Sequence, residues 1–145
     1  MAHVGERIAH HDLCFGCGLA NPFGLQLELR AGDGGELRGR FFVKQDHQGP
    51  PGLAHGGVLT SALDEAMSLA VHREALAYTA NLEVELRAPA PVGTYVEVAA
   101  RVERSEGRKH WAAAELRGNG AQLIAAGRGL YVEPAPTPNV PEHPL

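Results

Sequence analysis

Asp64 lies in the middle of an apolar run, Gly57 to about Ala75, in which Val58, Leu59, Ala62, Leu63, Ala66, Met67, Leu69, Ala70 and Val71 recur at helical spacing. Apolar residues cover most of the circumference, so the run predicts a helix buried nearly all round. At about 100° per residue its polar residues, Ser61, Asp64, Glu65, Ser68 and His72, share one narrow side. For Glu65 and His72 that side reads as facing water. Asp64 follows Leu63 directly, near the centre of the run. A carboxylate there is costly unless it is hydrogen-bonded or faces a cleft. In a cleft it could deprotonate water or attack an acyl carbon itself.

The same helix opens with His55-Gly56-Gly57. The first amides of a helix have no partner inside it and sit at its positive end, where they can stabilise a developing oxyanion. A tight loop-to-helix turn would explain the glycines equally well. Gly56 and Asp64 are eight residues apart, or ~12 Å along one helix. One chain cannot bring both to the same carbonyl. If both act on one, the second must come from a neighbouring subunit whose helix runs antiparallel.

The elements around this helix read as strands. Thr79 to Ala88 alternates Ala80, Leu82, Val84, Leu86 and Ala88 against Thr79, Asn81, Glu83, Glu85 and Arg87, the period of a strand with one buried face. Thr94 to Glu103, Lys109 to Arg117 and Ala121 to Val132 follow. They are separated by a turn at Ser105-Glu106-Gly107 and an Asn119-Gly120 hairpin signal. Upstream, Leu25 to Arg30 and Glu36 to Lys44 flank a glycine-rich turn. The order is β-β-α-β-β-β-β, an α+β architecture of one long buried helix wrapped by a curved, mostly antiparallel sheet of about six strands.

Composition bounds the partners. The chain has 145 residues, 44% hydrophobic and 21% charged, with 13 Lys and Arg against 17 Asp and Glu. No basic stripe suggests nucleic acid, and no apolar run approaches a membrane span. The first residues have no apolar leader-like core, and two cysteines make no disulfide framework. A cytoplasmic protein is expected. It reads as one domain over residues 1–132, with an N-terminal segment over 1–24. From Glu133 on, the remaining residues, 133–145, hold five prolines and read as an extended arm.

The segment from His47 to Glu65, HQGPPGLAHGGVLTSALDE, resembles the core motif of hotdog-fold acyl-CoA thioesterases. The similarity is to the PaaI-type branch and the Arthrobacter-type 4-hydroxybenzoyl-CoA thioesterases. It extends from about Cys14 to Val132 and includes the Cys14-Phe-Gly-Cys-Gly-Leu-Ala-Asn-Pro22 segment, the Arg87 to Gly93 crossing and Gly127-Arg-Gly129. The resemblance implies a homo-oligomer, a dimer at least with a tetramer left open, and an acyl-CoA substrate. It implies Asp64 as the catalytic carboxylate and the Gly56 amide as the group that polarises the thioester carbonyl. His55 shapes the loop, Ser68 orients water, and Thr79 is a second hydroxyl beside it. Relatives place an Asn or Gln six residues before the histidine. Gly49 stands there in this chain, so Gln48 is expected to fill that role. Arg104, Arg108 and Lys109 fall where relatives contact the nucleotide of coenzyme A, although an ordinary charged hairpin would look the same.

No cofactor is implied. Cys14 and Cys17, with His10 and His11, have ligand character, but adjacent histidines fit a closed tetrahedron poorly. A packed turn and a protein that needs no metal are therefore expected. Trp111, Tyr78, Tyr95 and Tyr131 read as core or interface residues. Two rival functions share the fold: a non-catalytic acyl-CoA-binding module and a hydratase or dehydratase.

Overall fold

A computed structural model describes residues 4–135. The expected arm beyond Pro134-Ala135 lies outside the described residues. The helix α1 spans Gly56–His72. The strands are β1 (Arg7–Ile8), β2 (Glu28–Ala31), β3 (Leu37–Phe42), β4 (Tyr78–Leu86), β5 (Tyr95–Glu106), β6 (Lys109–Arg117) and β7 (Leu123–Val132). They form one antiparallel sheet in the order β1-β2-β3-β5-β6-β7-β4. The strand β1 was not expected. Its two residues are too few to show a period, and it exists only as a partner for β2.

The helix lies against β5, β6, β7 and β4. It buries Leu59, Ala62, Leu63, Ala66, Met67, Leu69, Ala70 and Val71. The middle of the sheet beneath carries small residues, with Ala112 and Ala114 on β6 and Ala125 on β7 fully or nearly buried. Leu63 and Met67 reach Gly127, where a Cβ would stand 3.4 and 3.5 Å from their tips. Large side chains on the helix and small ones on the strands let the two layers interdigitate, each buried Leu or Met contributing ~1.5–3 kcal/mol. The helix stops three residues before the expected end, with Arg73 as C-cap.

Two departures from simple alternation matter for the site. The β4–β7 ladder shifts between Thr79 and Asn81, leaving Ala80 as an extra residue. A bulge of this kind exchanges the two faces of a strand. Beyond it Leu82 pairs with Gly129 and Val84 with Gly127 on the helix side, whereas before it Thr79 pairs with Tyr131 on that same side. The expected buried face of β4 is therefore only partly realised. Leu82 and Val84 are half-buried, while Ala80 and Leu86 are exposed. The second shift, between Val102 and Arg104, sends Arg104 opposite Trp111 and Ser105 opposite His110. The turn after β5 is correspondingly tighter than expected, since the strand continues to Glu106.

Among the described residues, no helix is long and apolar enough to cross a membrane.

Candidate active site

Asp64 is half-buried where α1 passes the β4–β7 edge. Its Oδ1 accepts a hydrogen bond from Thr79 Oγ1 at 2.8 Å and another from the Tyr131 hydroxyl at 2.9 Å. The phenol also leans 3.1 Å from the Asp64 carbonyl oxygen. Among the described residues nothing bonds to Oδ2. One oxygen of the carboxylate is thus held by two donors while the other is left for an incoming group. Burial pushes the Tyr131 phenol far above its ordinary range, and the charge of Asp64 and the bond to it push it further. The hydroxyl therefore stays protonated and acts as a permanent donor.

Tyr131 is the site residue that sequence reasoning missed. By alternation it reads as a core or interface residue, and it is indeed fully buried, but its hydroxyl donates to Asp64. Gly129 makes the room: a Cβ there would stand 2.6 Å from Tyr131 Cε2 and 3.0 Å from the hydroxyl. The Gly127-Arg-Gly129 sequence was the available signal, because a glycine inside a strand marks close approach of another group.

At the start of α1, His55 is the N-cap. Its Nδ1 accepts from the Gly57 amide at 2.8 Å, and its carbonyl accepts from Val58 and Leu59. A Cβ on Gly57 would crowd that ring nitrogen at 2.9 Å, so the cap needs glycine there. The loop is tied down by the His55 amide, which donates to the His47 carbonyl at 2.8 Å. The Gly56 amide is left as the helix-terminal N–H without a partner among the described residues. Helix α1 runs unbroken from Gly56 through Asp64, so their ~12 Å separation holds.

Other expected residues are placed differently. The side chain of Gln48 is turned back on its own loop. Its amide nitrogen donates to the Gln45 carbonyl at 3.0 Å, and its oxygen accepts from the Gly52 amide at 2.8 Å. The positive φ of Gly52 shapes that turn, which spends both ends of the Gln48 amide. Ser68 Oγ lies 3.3 Å from His10 Nε2 rather than at Asp64. Glu65 does not face water. Only 13% of its side chain is exposed, and Oε1 lies 2.8 Å from His10 Nδ1. Burial alone would raise its carboxyl, but the bond and charge of His10, with the thiols of Cys17 and Cys14, hold it below the usual carboxylate range.

Arg104, Arg108 and Lys109 cluster at the β5–β6 hairpin. Arg104 stacks 3.8 Å above the Trp111 ring and lies 3.9 Å from Glu106. Arg108 Nε donates to the Glu133 carbonyl at 3.1 Å. Lys109 pairs with Val132, which pairs with Tyr78. The hairpin therefore shares its end of the sheet with Thr79 and Tyr131.

The strand β4 is the edge next to this site. Its outer backbone groups face no strand among the described residues. Tyr78 and Leu86 are 60% and 51% exposed. A nine-residue edge of this kind is a template for pairing with another chain.

Residues 51–123 match the family model described as the thioesterase superfamily. The acyl-coenzyme A thioesterase THEM4 of Xenopus laevis is 33% identical over 78 residues, which are 53% of this chain and 35% of that protein. This chain thus spans about a third of THEM4. A Pseudomonas aeruginosa protein named as a candidate esterase is 30% identical over 128 residues, covering 76% of this chain and 95% of that one. Among solved structures, a thioesterase superfamily protein superposes with a TM-score of 0.79 at 26% identity, covering 84% of this chain and 61% of the other. The phenylacetic acid degradation protein PaaI of Thermus thermophilus gives 0.68 at 26% identity, covering 74% and 93%. The chain belongs to the thioesterase superfamily and has its hotdog fold.

Proposed function

We propose that this chain hydrolyses an acyl-CoA thioester to the free acid and coenzyme A in a site shared by two subunits. The observation that carries the proposal is the asymmetry at Asp64. Thr79 and Tyr131 occupy Oδ1 and leave Oδ2 open. An unpaired Gly56 amide opens the same helix, too far away to serve the same carbonyl. Two chains paired along β4 bring one chain's Asp64 towards the other's Gly56, and a two-fold axis makes two equivalent sites. The Gly56 N–H then takes the charge that develops on the carbonyl oxygen. Oδ2 either accepts a proton from the attacking water or adds to the acyl carbon, giving a mixed anhydride that water cleaves. In both routes the C–S bond breaks and the thiolate of coenzyme A leaves. Arg104, Arg108 and Lys109 supply cations near the same end of the sheet for its phosphates. The protein works in the cytoplasm.

Release of free thiol from short-chain, long-chain and aromatic acyl-CoA tests this reading. Turnover of at least one class is expected. Asp64→Asn should stay folded and lose ~10²-fold or more in kcat, the scale of a lost general base. Acyl-CoA binding without turnover of any class would establish the non-catalytic alternative instead.

A further inference from the structure

The N-terminal segment carries a second chemical cluster, on the face of α1 beside Asp64. His10, Cys14, Cys17 and Glu65 each offer one ligand atom, and these four atoms lie within 4.8 Å of one another. We propose that they form a structural zinc site that pins the N-terminal segment to the helix. This inference stands apart from the thioesterase reading, because none of the four residues takes part in that chemistry.

Four of the six edges of this ligand set run from 2.8 to 3.8 Å before any ion is added, and the other two, both to Cys17 Sγ, are no longer than 4.8 Å. Zinc binds thiolate sulfur at ~2.3 Å and imidazole nitrogen or carboxylate oxygen at ~2.0–2.2 Å, so the edges of a tetrahedral ligand set run ~3.4–3.8 Å. Here His10 Nδ1 lies 3.8 Å from each sulfur, and Cys14 Sγ lies 3.2 Å from Glu65 Oε1. The His10–Glu65 edge is shorter, at 2.8 Å, because a proton now bridges that pair. An ion in the centre needs to part it by only about half an ångström. Zinc binding would displace the proton between His10 Nδ1 and Glu65 Oε1, and that proton and the two thiol protons would leave to solvent. Two thiolates in the set favour zinc over magnesium or calcium.

The surroundings orient the ligands. Ser68 Oγ engages Nε2 of His10, which leaves Nδ1 for the centre. The backbone amide of His10 donates to Cys17 Sγ at 3.2 Å, and Arg7 Nη2 donates to the Cys17 carbonyl. Arg7 Nε is buried and has no hydrogen-bond partner among the described residues. Two thiolates, one carboxylate and one zinc ion leave a net charge of −1, and the Arg7 guanidinium beside Cys17 offsets it. The turn itself is made for this approach. The Gly18 amide closes on the Cys14 carbonyl at 2.8 Å, and a Cβ on Gly16 would collide with the Glu65 carboxyl.

His11 is not a member, since its Nδ1 accepts from the Leu13 amide at an exposed turn. Of the adjacent histidines only His10 joins the cluster. The fourth ligand comes from the helix instead.

The test uses the untagged full chain, purified without chelators, with zinc measured by elemental analysis. About one zinc per chain is expected. Replacement by cobalt should give the intense visible bands of a tetrahedral thiolate site. Chelation should lower Tm by about 5–10 °C, and added zinc should restore it. Cys14→Ser with Cys17→Ser, and separately Glu65→Gln, should reduce the bound zinc. Because either variant could fail to fold, the cobalt spectrum of the wild-type chain is the independent readout. A reduced chain that takes up neither zinc nor cobalt would overturn the proposal. So would a Cys14–Cys17 disulfide in the native protein, or zinc that persists when both cysteines are replaced.

Discussion

Thr79 and Tyr131 face each other across the β4–β7 ladder and donate to the same carboxylate oxygen, Asp64 Oδ1, at 2.8 and 2.9 Å. The two donors converge only because the bulge at Ala80 turns Thr79 onto the inner face. They fix the plane of the carboxylate and so decide where Oδ2 points. On the proposed mechanism neither would touch the reacting atoms, so both would be positioning residues.

Removing either donor should therefore cost precision before it costs fold. Tyr131→Phe and Thr79→Val are each expected to lower stability by about 1 kcal/mol and kcat by about tenfold, with KM little changed. The two losses should not add, since the second donor holds a carboxylate already loosened. Thermal melts and steady-state kinetics of the two single variants and the double variant check this.

Gly129 and Gly127 should separate sharply under alanine substitution. The Cβ of Gly129→Ala would drive the Tyr131 ring off its place, costing about 1–3 kcal/mol and at least as much kcat as Tyr131→Phe. At Gly127 the added methyl meets Glu83 O, Leu63 and Met67 at 3.4–3.5 Å, ordinary contact distances. Gly127→Ala should thus change stability by less than about 1 kcal/mol. Equal effects at the two positions would show that the ring does not depend on Gly129.

Complementation tests the shared site. Asp64→Asn chains and Gly56→Leu chains should each be inactive as homodimers. A mixed dimer has one site with both defects and one with neither, so subunit exchange should restore up to half the wild-type rate per dimer. Verified heterodimers that stay inactive, with both variants folded, would show that Asp64 and Gly56 do not meet across an interface.

The His47 imidazole should make stability fall in mild acid. Burial lowers it from its ordinary value of 6.5; the hydrogen bond to Gly24 opposes this, the charge of Lys44 adds to it, and Asp46 opposes it least. Below about 6.5 the unfolded chain therefore binds protons that the folded chain refuses. The stability from keeping this ring neutral is complete above that pH and is lost as pH drops below it, by at most about 1.4 kcal/mol per pH unit. His47→Asn, whose Oδ1 can replace Nδ1 as acceptor for the Lys44 amide, should flatten the slope between pH 7 and 5 in denaturant titrations. An unchanged slope would assign the acid sensitivity to other groups.

Periodicity made the helix and the four strands after it legible, and β6 runs from Lys109 to Arg117 as expected. Each of these segments shows its buried face within its own length. What stayed hidden depends on partners far along the chain. The Tyr131 hydroxyl finds Asp64 across 67 residues, and Glu65 finds His10 across 55. A strand position that alternates correctly looks the same whether its polar tip is idle or employed. Thr79 shows the limit most clearly: alternation puts it on the outer face, and one inserted residue reverses that. Asp64 itself was legible because an acid inside an apolar run is anomalous without knowledge of any partner. The Gln48 amide gave no such anomaly, and its use in closing its own turn follows from loop geometry alone.

The turn that carries Cys14 and Cys17 has a consequence for synthesis. These residues leave the ribosome about 50 residues ahead of Glu65, which at roughly 5–20 residues per second is a delay of several seconds. During that interval the turn has no helix to dock against, and both thiols are open to oxidation and to capture by other nascent chains. The turn is made before the helix that secures it. Conditions that slow elongation should therefore favour cross-linked, misassembled product over native protein.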